Sequence, residues 1–422
     1  MSSTTDEIKP PFRLSQLLYD TRYRSLTIQA ITFGLFLAMV GWLVNNTLQN
    51  LANAGSEVDF GFLWQTAGYE INQRLIDYSP EDTHFRAALV GLLNTLLVAV
   101  MGCAAATILG TLVGILRLSK NWLIAQLMTA YVEIFRNVPV LLWIVFIMAV
   151  LTETLPPPNA FRGEDAAAGM VLFDSVAVTN RGTYIPEPLF SNSLGNLHLF
   201  GAGSLRMDVS LDLMALIAVF ALSVFAAGKV ALRAVRIQNA TGKRPRTWPL
   251  TLAILVAPTA ALLLVLGFHV GIPELRGFNF RDGIHMRTSM IALAMALGLY
   301  TSAFVAEIVR GGILAISHGQ TEAAASLGLR PRNIMRLVIL PQALRVIIPP
   351  LISEYLSLTK NTSLAIAVGY MDITGTLGGI TMNQTGRALE SILLLMLVYL
   401  VISLMISAVM NWFNARMKLV EQ

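Results

Sequence analysis

Residues 311–342 have the sequence GGILAISHGQTEAAASLGLRPRNIMRLVILPQ, a polar and basic segment between two long apolar runs. Glu322 to Leu327 consists largely of residues that favour a helix. Gly328 can adopt the left-handed conformation that ends a helix, and Pro331 fits the first turn of the next one. The pattern therefore predicts two short helices that meet at a glycine corner.

The second of these helices is expected to be amphipathic. In an ideal helix Ile334, Leu337 and Val338 share one face, while Arg332 and Arg336 share another. Because apolar runs flank the segment on both sides, we expect the helix pair to lie at a membrane surface. There it would present a face of small side chains that another protein can contact.

Eight apolar segments of the chain approach or exceed the roughly 20 residues that a helix needs to cross a bilayer. The third of them is too long for one straight crossing, and Arg136, Asn137 and Pro139 interrupt it, so we expect two helical pieces with a break between them. The sequence predicts eight crossings, with both termini on one side of the membrane. The segments are 26–44, 89–116, 122–155, 209–232, 248–270, 288–309, 341–366 and 389–413.

The composition agrees with a membrane protein. Of the 422 residues 55% are apolar and only 13% are charged, about half the charged fraction of a typical soluble domain. This excludes a soluble enzyme, a disordered scaffold and a disulfide-rich secreted module. The single cysteine, Cys103, excludes disulfides within the chain and a cysteine-based zinc site.

The net charge of +5 is compatible with nucleic-acid binding, but lysine and arginine concentrated in cytoplasmic loops are the commoner cause in a membrane protein. With the N-terminus inside, the inner segments carry 19 lysine and arginine residues and the outer segments 9. We therefore expect a bilayer environment without a nucleic-acid partner. Residues 1–25 would form a cytoplasmic N-terminus, 45–88 an acidic extracytoplasmic loop, and 156–208 an irregular loop on the same outer side.

Motifs for chemistry within this chain are missing from the sequence. There is no G-x-x-x-x-G-K-[ST] loop for a nucleotide and no H-E-x-x-H metal motif, and the five histidines are far apart along the chain. We predict no catalytic residue, no metal site and no cofactor bound by this chain. Any work done here must draw on a gradient or on another subunit.

The 311–342 segment resembles the EAA loop in the inner-membrane permease subunits of ATP-binding-cassette (ABC) importers, whose pattern is E-A-A-x3-G-x9-I-x-L-P. Here it stands as Glu322-Ala323-Ala324, Gly328, then Val338, Leu340 and Pro341, with valine for isoleucine as the one departure. Flanking residues resemble the polar amino-acid branch of these permeases, which includes the histidine and glutamine permeases. They are Ala306-Glu307, Arg310 to Ile313, Gly319-Gln320, Leu340 to Arg345, Thr362-Ser363-Leu364, Gly91, Asn94 to Leu96, Glu133 and Phe135 to Pro139.

The resemblance implies an all-α membrane protein with the five-helix core of a type I ABC importer permease. The first part of this core would span 85–155 and the second part 288–415. An N-terminal helix at 26–44 precedes the core, and an insertion at 156–287 adds two further membrane helices. The enlarged form resembles the permeases of general L-amino acid importers.

In that family the EAA loop is the helix that docks into a cleft of the cytoplasmic ATPase. The resemblance implies this coupling role for seven residues of the present chain. They are Gly319, Glu322, Ala323, Ala324, Gly328, Leu340 and Pro341.

Polar residues within the spans are candidates for a substrate pathway, because ionisable groups there usually face protein or water. Glu354 could bind the ammonium of an amino acid. Lys360, with Asn361, Thr362 and Ser363, could bind its carboxylate. A spacing of six does not place Glu354 and Lys360 on one face of an ideal helix, so packing against neighbouring helices is the alternative.

Four further positions have both a pathway and a structural interpretation. Asn94 and Thr95 either line the pathway or make polar contacts between helices. Asn137, in the broken third segment, is a candidate for a gate or a subunit contact. Glu307 and Arg310, spaced i and i+3, are expected to form a structural ion pair.

Together these observations predict a permease subunit of an ATP-driven L-amino acid importer in the bacterial inner membrane. Its expected partners are an ATPase dimer that holds ATP and magnesium, a second permease, homologous or identical, and an extracytoplasmic amino-acid-binding protein. The alternative is a secondary amino acid transporter driven by an ion gradient, which would need broken helices or carboxylates in repeated positions.

Overall fold

The computed structural model describes residues 21–53, 55, 58–163, 166–199, 206–243 and 245–417. The chain divides after Phe60 into two compact units. The first contains one helix, α1 (Thr21–Asn53), whose side chains are almost all exposed. It is longer than the predicted 26–44, and most of the predicted N-terminus, 1–20, lies outside the described residues.

The second unit begins with a short 3-10 helix, Gly61–Trp64, and continues with α2 (His84–Leu116). The Thr83 side chain caps α2 by accepting from the Arg86 amide. The long third apolar segment forms two helices, α3 (Trp122–Asn137) and α4 (Val140–Thr154), bent by 106° at the predicted break. Pro139 directly precedes α4, where it cannot extend the helix before it.

The segment 156–208 is not the irregular loop expected from its glycine and proline content. After a 3-10 turn (Pro158–Phe161) it contains five short strands, and residues 268–287 contain four more. They form one three-stranded antiparallel sheet, in the order β1-β2-β9, and the two-stranded pairs β3-β6, β4-β5 and β7-β8. The strands are β1 (Ala177–Thr179), β2 (Gly182–Ile185), β3 (Glu187–Phe190), β4 (Asn196–Leu199), β5 (Met207–Ser210), β6 (Phe268–Gly271), β7 (Glu274–Arg276), β8 (Asn279–Arg281) and β9 (Ile284–Arg287).

Two long helices lie between these groups of strands, α5 (Leu211–Thr241) and α6 (Trp248–Val265), and they pack against each other. Ser210 caps α5 at its start, and Gly242, in the left-handed conformation, ends it. Helix α5 therefore continues nine residues beyond the predicted span 209–232, because its basic residues still favour a helix. Helix α6 is shorter than the predicted 248–270.

From Thr288 on, the described residues form helices joined by short turns, and two of the helical stretches are π-helices. Its elements are α7 (Thr288–Leu314), α8 (His318–Ser326), α9 (Pro331–Ile334), a π-helix (Met335–Ile339), α10 (Leu340–Asn361), a 3-10 helix (Thr362–Val368), a second π-helix (Thr374–Thr381), α11 (Met382–Thr385) and α12 (Ala388–Met417).

Helices α2 and α7 form the centre of the core. Gly110 and Gly114 on α2 let the two backbones approach closely: a Cβ at Gly110 would lie 2.7 Å from the Ser302 carbonyl oxygen, and one at Gly114 2.7 Å from that of Ala306. Helix α7 is the most buried of the apolar helices. Small residues at such contacts are typical of helices that associate in a bilayer.

Seven of the described helical segments are long and apolar enough to cross a membrane, and the bent α3–α4 pair makes an eighth if it counts as one span. The predicted all-α membrane fold with about eight spans is confirmed. The strands lie between the spans and not within them.

Candidate functional site

The corner between α8 and α9 has the geometry that Gly328 and Pro331 predict. Gly328 has a φ of +75°, its amide bonds to the Ala325 carbonyl, and the Leu329 amide bonds to the Ala324 carbonyl at 3.3 Å. These two bonds are the Schellman arrangement that satisfies the last carbonyls of a helix. Pro331 then opens α9. The corner is a fixed turn because its backbone groups are paired.

The outer face of α8 is exposed and lined by small groups. The Glu322 side chain is 71% exposed and its only described ionic contact is with His318, Oε1 to Nδ1, at 3.0 Å. Ala323 is also exposed, and no described atom lies within 4 Å of a Cβ built on Gly319 or on Gly328. Ala324 points inward and is buried. Four of the seven predicted coupling residues thus form one open surface.

The helix after the corner differs from the prediction. The π-helix at Met335–Ile339 adds a residue to one turn, which rotates the following side chains. Ile334, just before the π-helix, is buried, whereas Leu337 within it is 62% exposed. Leu340 and Pro341 begin α10, behind the corner. Of the three residues predicted to share one apolar face, Ile334 is buried, Val338 is half-buried and Leu337 is exposed, so they do not form one buried face.

At the end of α7 nearest the corner, Glu307 holds two arginines. Its Oε1 lies 2.7 Å from Arg310 Nη2, and its Oε2 bonds to Nη1 of Arg117. The Arg117 side chain is only 9% exposed, so this contact joins the end of α2 to α7. In the sequence Arg117 entered only the charge count, and its role as a second partner of Glu307 was missed.

Asn94 and Thr95 lie on the buried side of α2. Asn94 Nδ2 donates to the carbonyls of Gln73 at 2.7 Å and Met371 at 2.8 Å, and Thr95 Oγ1 accepts from the Ile373 amide at 3.0 Å. Both residues are fully buried. Of the two interpretations left open for them, polar contact between segments is the one the geometry favours.

These bonds hold a segment that the sequence analysis did not single out, Gly369 to Thr381. Within it Asp372 is fully buried, accepts from the Gly375 amide at 2.8 Å, and lies 3.4 Å from the Tyr399 hydroxyl. Burial raises the pKa of Asp372 to about 6, because the charged form loses its hydration. The sequence signal that could have indicated this segment is Asp372 itself, a single aspartate in an otherwise uncharged stretch.

Glu354 on α10 is half-buried and lies within electrostatic range of Arg136 on α3 and of Tyr300 on α7. The guanidinium carbon of Arg136 is 5.2 Å from the ring centre of Phe304, a cation–π distance. Three helices thus bring together a carboxylate, a guanidinium and two aromatic rings. In the sequence Arg136 was an interruption of a span and part of the family-like stretch Phe135 to Pro139, and it was not proposed as a partner of Glu354.

The predicted partners of Glu354 do not join it. Lys360 is exposed at the end of α10. Thr362 is fully buried and donates to the Thr359 carbonyl at 2.8 Å, and Ser363 donates to the Lys360 carbonyl at 2.8 Å. Asn361 is the last residue of the helix and is half-buried. The end of α10 therefore satisfies its own hydroxyl groups and leaves the lysine apart from Glu354.

Asn137 ends α3 immediately before the break and is exposed. Its Nδ2 donates to Glu133 Oε2 at 3.1 Å, one turn earlier on the same helix.

The described residues contain no group of three or more histidine, cysteine, aspartate or glutamate side chains arranged to hold a metal ion.

Comparison with known proteins identifies the class of protein. The family described as "Binding-protein-dependent transport system inner membrane component" matches residues 244–419. The chain is 56% identical, over the full length of both chains, to the "Glutamate/glutamine/aspartate/asparagine transport system permease protein BztB" of Rhodobacter capsulatus.

Two further relatives cover nearly the whole chain. The "General L-amino acid transport system permease protein AapQ" of Rhizobium johnstonii is 42% identical over 96% of this chain and 95% of its own. The "Putative amino-acid ABC transporter permease protein YhdX" of Escherichia coli is 42% identical over 94% of this chain and 95% of its own. These similarities support the ATP-driven transporter of the sequence analysis and not its ion-gradient alternative. The exposed EAA corner, the helical membrane core and these relatives together place the chain in the family of inner membrane components of binding-protein-dependent transport systems, as a multi-pass permease subunit and not an enzyme.

Proposed function

We propose that this permease forms half of the transmembrane pathway of an importer of L-amino acids in the bacterial inner membrane, with both termini in the cytoplasm. Full-length relatives named for amino acid transport support the substrate class. The excess of lysine and arginine on the inner segments supports the orientation.

One observation carries the proposed coupling to an ATPase. The outer face of α8 is exposed and open at Gly319 and Gly328, yet the corner that holds it is rigid, since its backbone hydrogen bonds are satisfied. A partner can bind a rigid surface of small residues without the entropy cost of first ordering that surface.

The proposed partners complete what this chain lacks. An ATPase dimer binds ATP and magnesium and contacts the α8 surface through Glu322, Ala323 and Gly328. A second permease, identical or homologous, closes the other side of the pathway. An extracytoplasmic binding protein delivers the amino acid to the outer end.

Movement of the corner would reach the pathway through packed helices. Helix α8 follows α7 after a short turn, and the π-helix connects α9 to α10. Helix α7 packs on α2 and on α10, which carries Glu354. Because packed helices move as rigid elements, displacement of α8 by the ATPase would shift the Glu354 side of the pathway relative to α2.

The polar cluster of α3, α7 and α10 is the proposed amino acid contact. Glu354 offers a carboxylate to the ammonium of a zwitterion, and Arg136 offers a planar guanidinium to its carboxylate, the pairing for which arginine geometry is best suited. The separation of Lys360 from Glu354 favours Arg136 as the cation of this pair. Asn361, Thr362 and Ser363 then support the end of α10 and make no contact with substrate.

The coupling proposal is tested with two matched variants, Gly328→Asp and Gly386→Asp. Both glycines have positive φ, +75° and +66°, and no described atom lies within 4 Å of a Cβ at either. Aspartate tolerates that conformation better than most residues, so both variants should fold. Co-purification in mild detergent should lose the ATPase and retain the second permease with Gly328→Asp, and retain both with Gly386→Asp.

An ATPase that stays bound to Gly328→Asp as well as to the unchanged chain would contradict the coupling surface. A partner-free chain that moves amino acids in vesicles along an ion gradient would contradict the importer itself.

The pathway proposal is tested by uptake of a labelled amino acid into vesicles that hold the whole transporter. Glu354→Gln and Arg136→Gln should each raise KM roughly tenfold or more, the cost of losing a charge-assisted hydrogen bond. Lys360→Gln is the matched control and should leave KM within about twofold. ATPase co-purification should be unchanged in all three variants. An equal effect of Lys360→Gln would contradict the proposed pair.

A further inference from the structure

The end of α5 that leads to α6 carries a positive surface. Because α5 continues to Thr241, the first three of the six lysine and arginine residues at 229–247 lie on a helix. Lys229, Arg233 and Arg236 are spaced i, i+4 and i+7, which places them within about 60° of arc on one helix face. All three are exposed.

These cations line a cleft of about 530 Å³ beside the contact with α6. Its other walls are apolar, with Ala226, Val230 and Leu232 from α5 and Ile254 from α6. The cleft therefore has two kinds of lining, a cationic strip and an apolar wall, next to each other.

No acidic side chain of the described residues forms an ion pair with these cations. From Leu213 to Pro273 the sequence has six lysine and arginine residues and not one aspartate or glutamate. A different contact involves Lys229, whose Nζ lies 4.5 Å from the ring centre of Phe225, a cation–π distance. A bound anion would neutralise this surface.

The cleft lies at the depth of a membrane interface. Leu213 to Gly228 is an apolar helical stretch of about 24 Å at 1.5 Å per residue, which approaches the roughly 30 Å of a bilayer's hydrocarbon core. Lys229 is the next residue, where that core ends. On the neighbouring helix Trp248 begins α6, and tryptophan is enriched at this same interface.

We propose that this cleft binds one anionic phospholipid, with the phosphate of its headgroup on Lys229, Arg233 and Arg236 and its acyl chains along Val230 and Ile254. The charge complementarity selects an anion, and the adjoining apolar wall selects a lipid over a soluble anion. Basic clefts between membrane helices are known to hold such headgroups. This lipid site does not rest on the proposed amino acid transport.

The test uses the full transporter purified in mild detergent and phosphatidylglycerol as the probe, with bound lipid counted by native mass spectrometry. Lys229→Gln/Arg233→Gln removes one lysine and one arginine from the cleft. Lys243→Gln/Arg246→Gln removes the same two residue types beyond the end of α5. The first variant should weaken phosphatidylglycerol binding roughly tenfold and the second less than about twofold. Phosphatidylcholine should show no such adduct.

The charge-preserving exchange Lys229→Arg/Arg233→Lys should keep the lipid, which separates loss of charge from loss of fold. If the two neutralising variants weaken lipid binding equally, the proposal is overturned in favour of diffuse attraction to all the basic residues at 229–247. Displacement of the lipid by glycerol 3-phosphate at equal concentration would overturn it in favour of a soluble anion. Loss of a protein subunit, and not of the lipid, from the cleft variant would also overturn it.

Discussion

The segment from Gly369 to Thr381 and the corner between α8 and α9 are both short, glycine-containing stretches beside apolar helices, but they are built in opposite ways. The first is buried, and its polar groups bond to α2 and α12. The second bonds mainly within itself and leaves its outer surface open. The buried segment has its hydrogen-bond partners within this chain, whereas the open corner leaves a surface that a partner protein can contact.

The largest expected effect comes from a glycine on the buried side. A Cβ at Gly91 would lie 2.1 Å from Thr376 Oγ1 and 2.8 Å from the Asp372 carbonyl oxygen. Because the carbonyl belongs to a locked segment, Gly91→Ala must push α2 away from it, which costs about 3 kcal/mol. The thermal unfolding midpoint in detergent should fall by several degrees. An unchanged midpoint would show that the segment yields easily.

Next in size is the pH dependence that Asp372 confers on the buried segment. Its pKa is raised to about 6 in the folded chain, from about 4 in an unfolded one. The folded state thus holds the proton more tightly, so this contribution is complete below pH 4 and is lost as the pH rises through 6. We expect a loss on the order of 2 kcal/mol over that window.

Asp372→Asn supplies the matched control for this pH dependence. It keeps an oxygen that can accept from the Gly375 amide but cannot ionise. Unfolding midpoints measured from pH 4 to 7 should fall in the unchanged chain relative to this variant. Parallel curves for the two proteins would show that Asp372 does not titrate in this range.

A smaller effect on the free energy of unfolding distinguishes Asn94 from Asn137, the two asparagines that the sequence analysis assigns to the substrate pathway. Asn94→Ala leaves the buried carbonyls of Gln73 and Met371 without a donor, at a cost of about 1–2 kcal/mol. Asn137→Ala removes one exposed bond within a helix turn and should cost only about 0.3 kcal/mol. Unfolding of the two variants in the same detergent measures the difference.

Transport separates the two interpretations of Asn94. If its role is structural, the KM for uptake stays unchanged in the Asn94→Ala transporter that still folds. A KM raised tenfold with normal stability would return Asn94 to the pathway.

The membrane spans and the corner between α8 and α9 could be predicted from the sequence, because both depend on residues that are close together along the chain. Apolar length gave the spans, and the positions of Gly328 and Pro331 gave the corner, because capping depends on residues only a few positions apart. The π-helix at Met335–Ile339 was missed, since no residue type marks the extra residue of such a turn.

The role of each polar residue could not be predicted, because its partners are distant in sequence. Asn94 bonds to Met371, 277 residues away, and Arg117 bonds to Glu307, 190 residues away. The strands were missed for the same reason: β2 pairs with β9 across the whole α5–α6 insertion, and strands of three or four residues carry little periodicity. Composition identified which residues were unusual but not what they contact.

The one expected gain in stability tests the open side, with the same glycine-to-alanine exchange that disrupts the buried segment. No described atom lies within 4 Å of a Cβ at Gly319, and its φ is not positive, so Gly319→Ala should stabilise α8 by about 0.5–1 kcal/mol through the lower entropy of the unfolded chain. If the ATPase lies against this surface, the added methyl group occupies space that the partner needs, and stimulated ATPase activity in proteoliposomes should fall although the chain itself is more stable. If Gly319→Ala gains stability and the stimulated ATPase activity does not fall, the ATPase contacts another part of the corner. The reason is that a methyl group at Gly319 is tolerated in the complex only where no atom of the partner occupies that space.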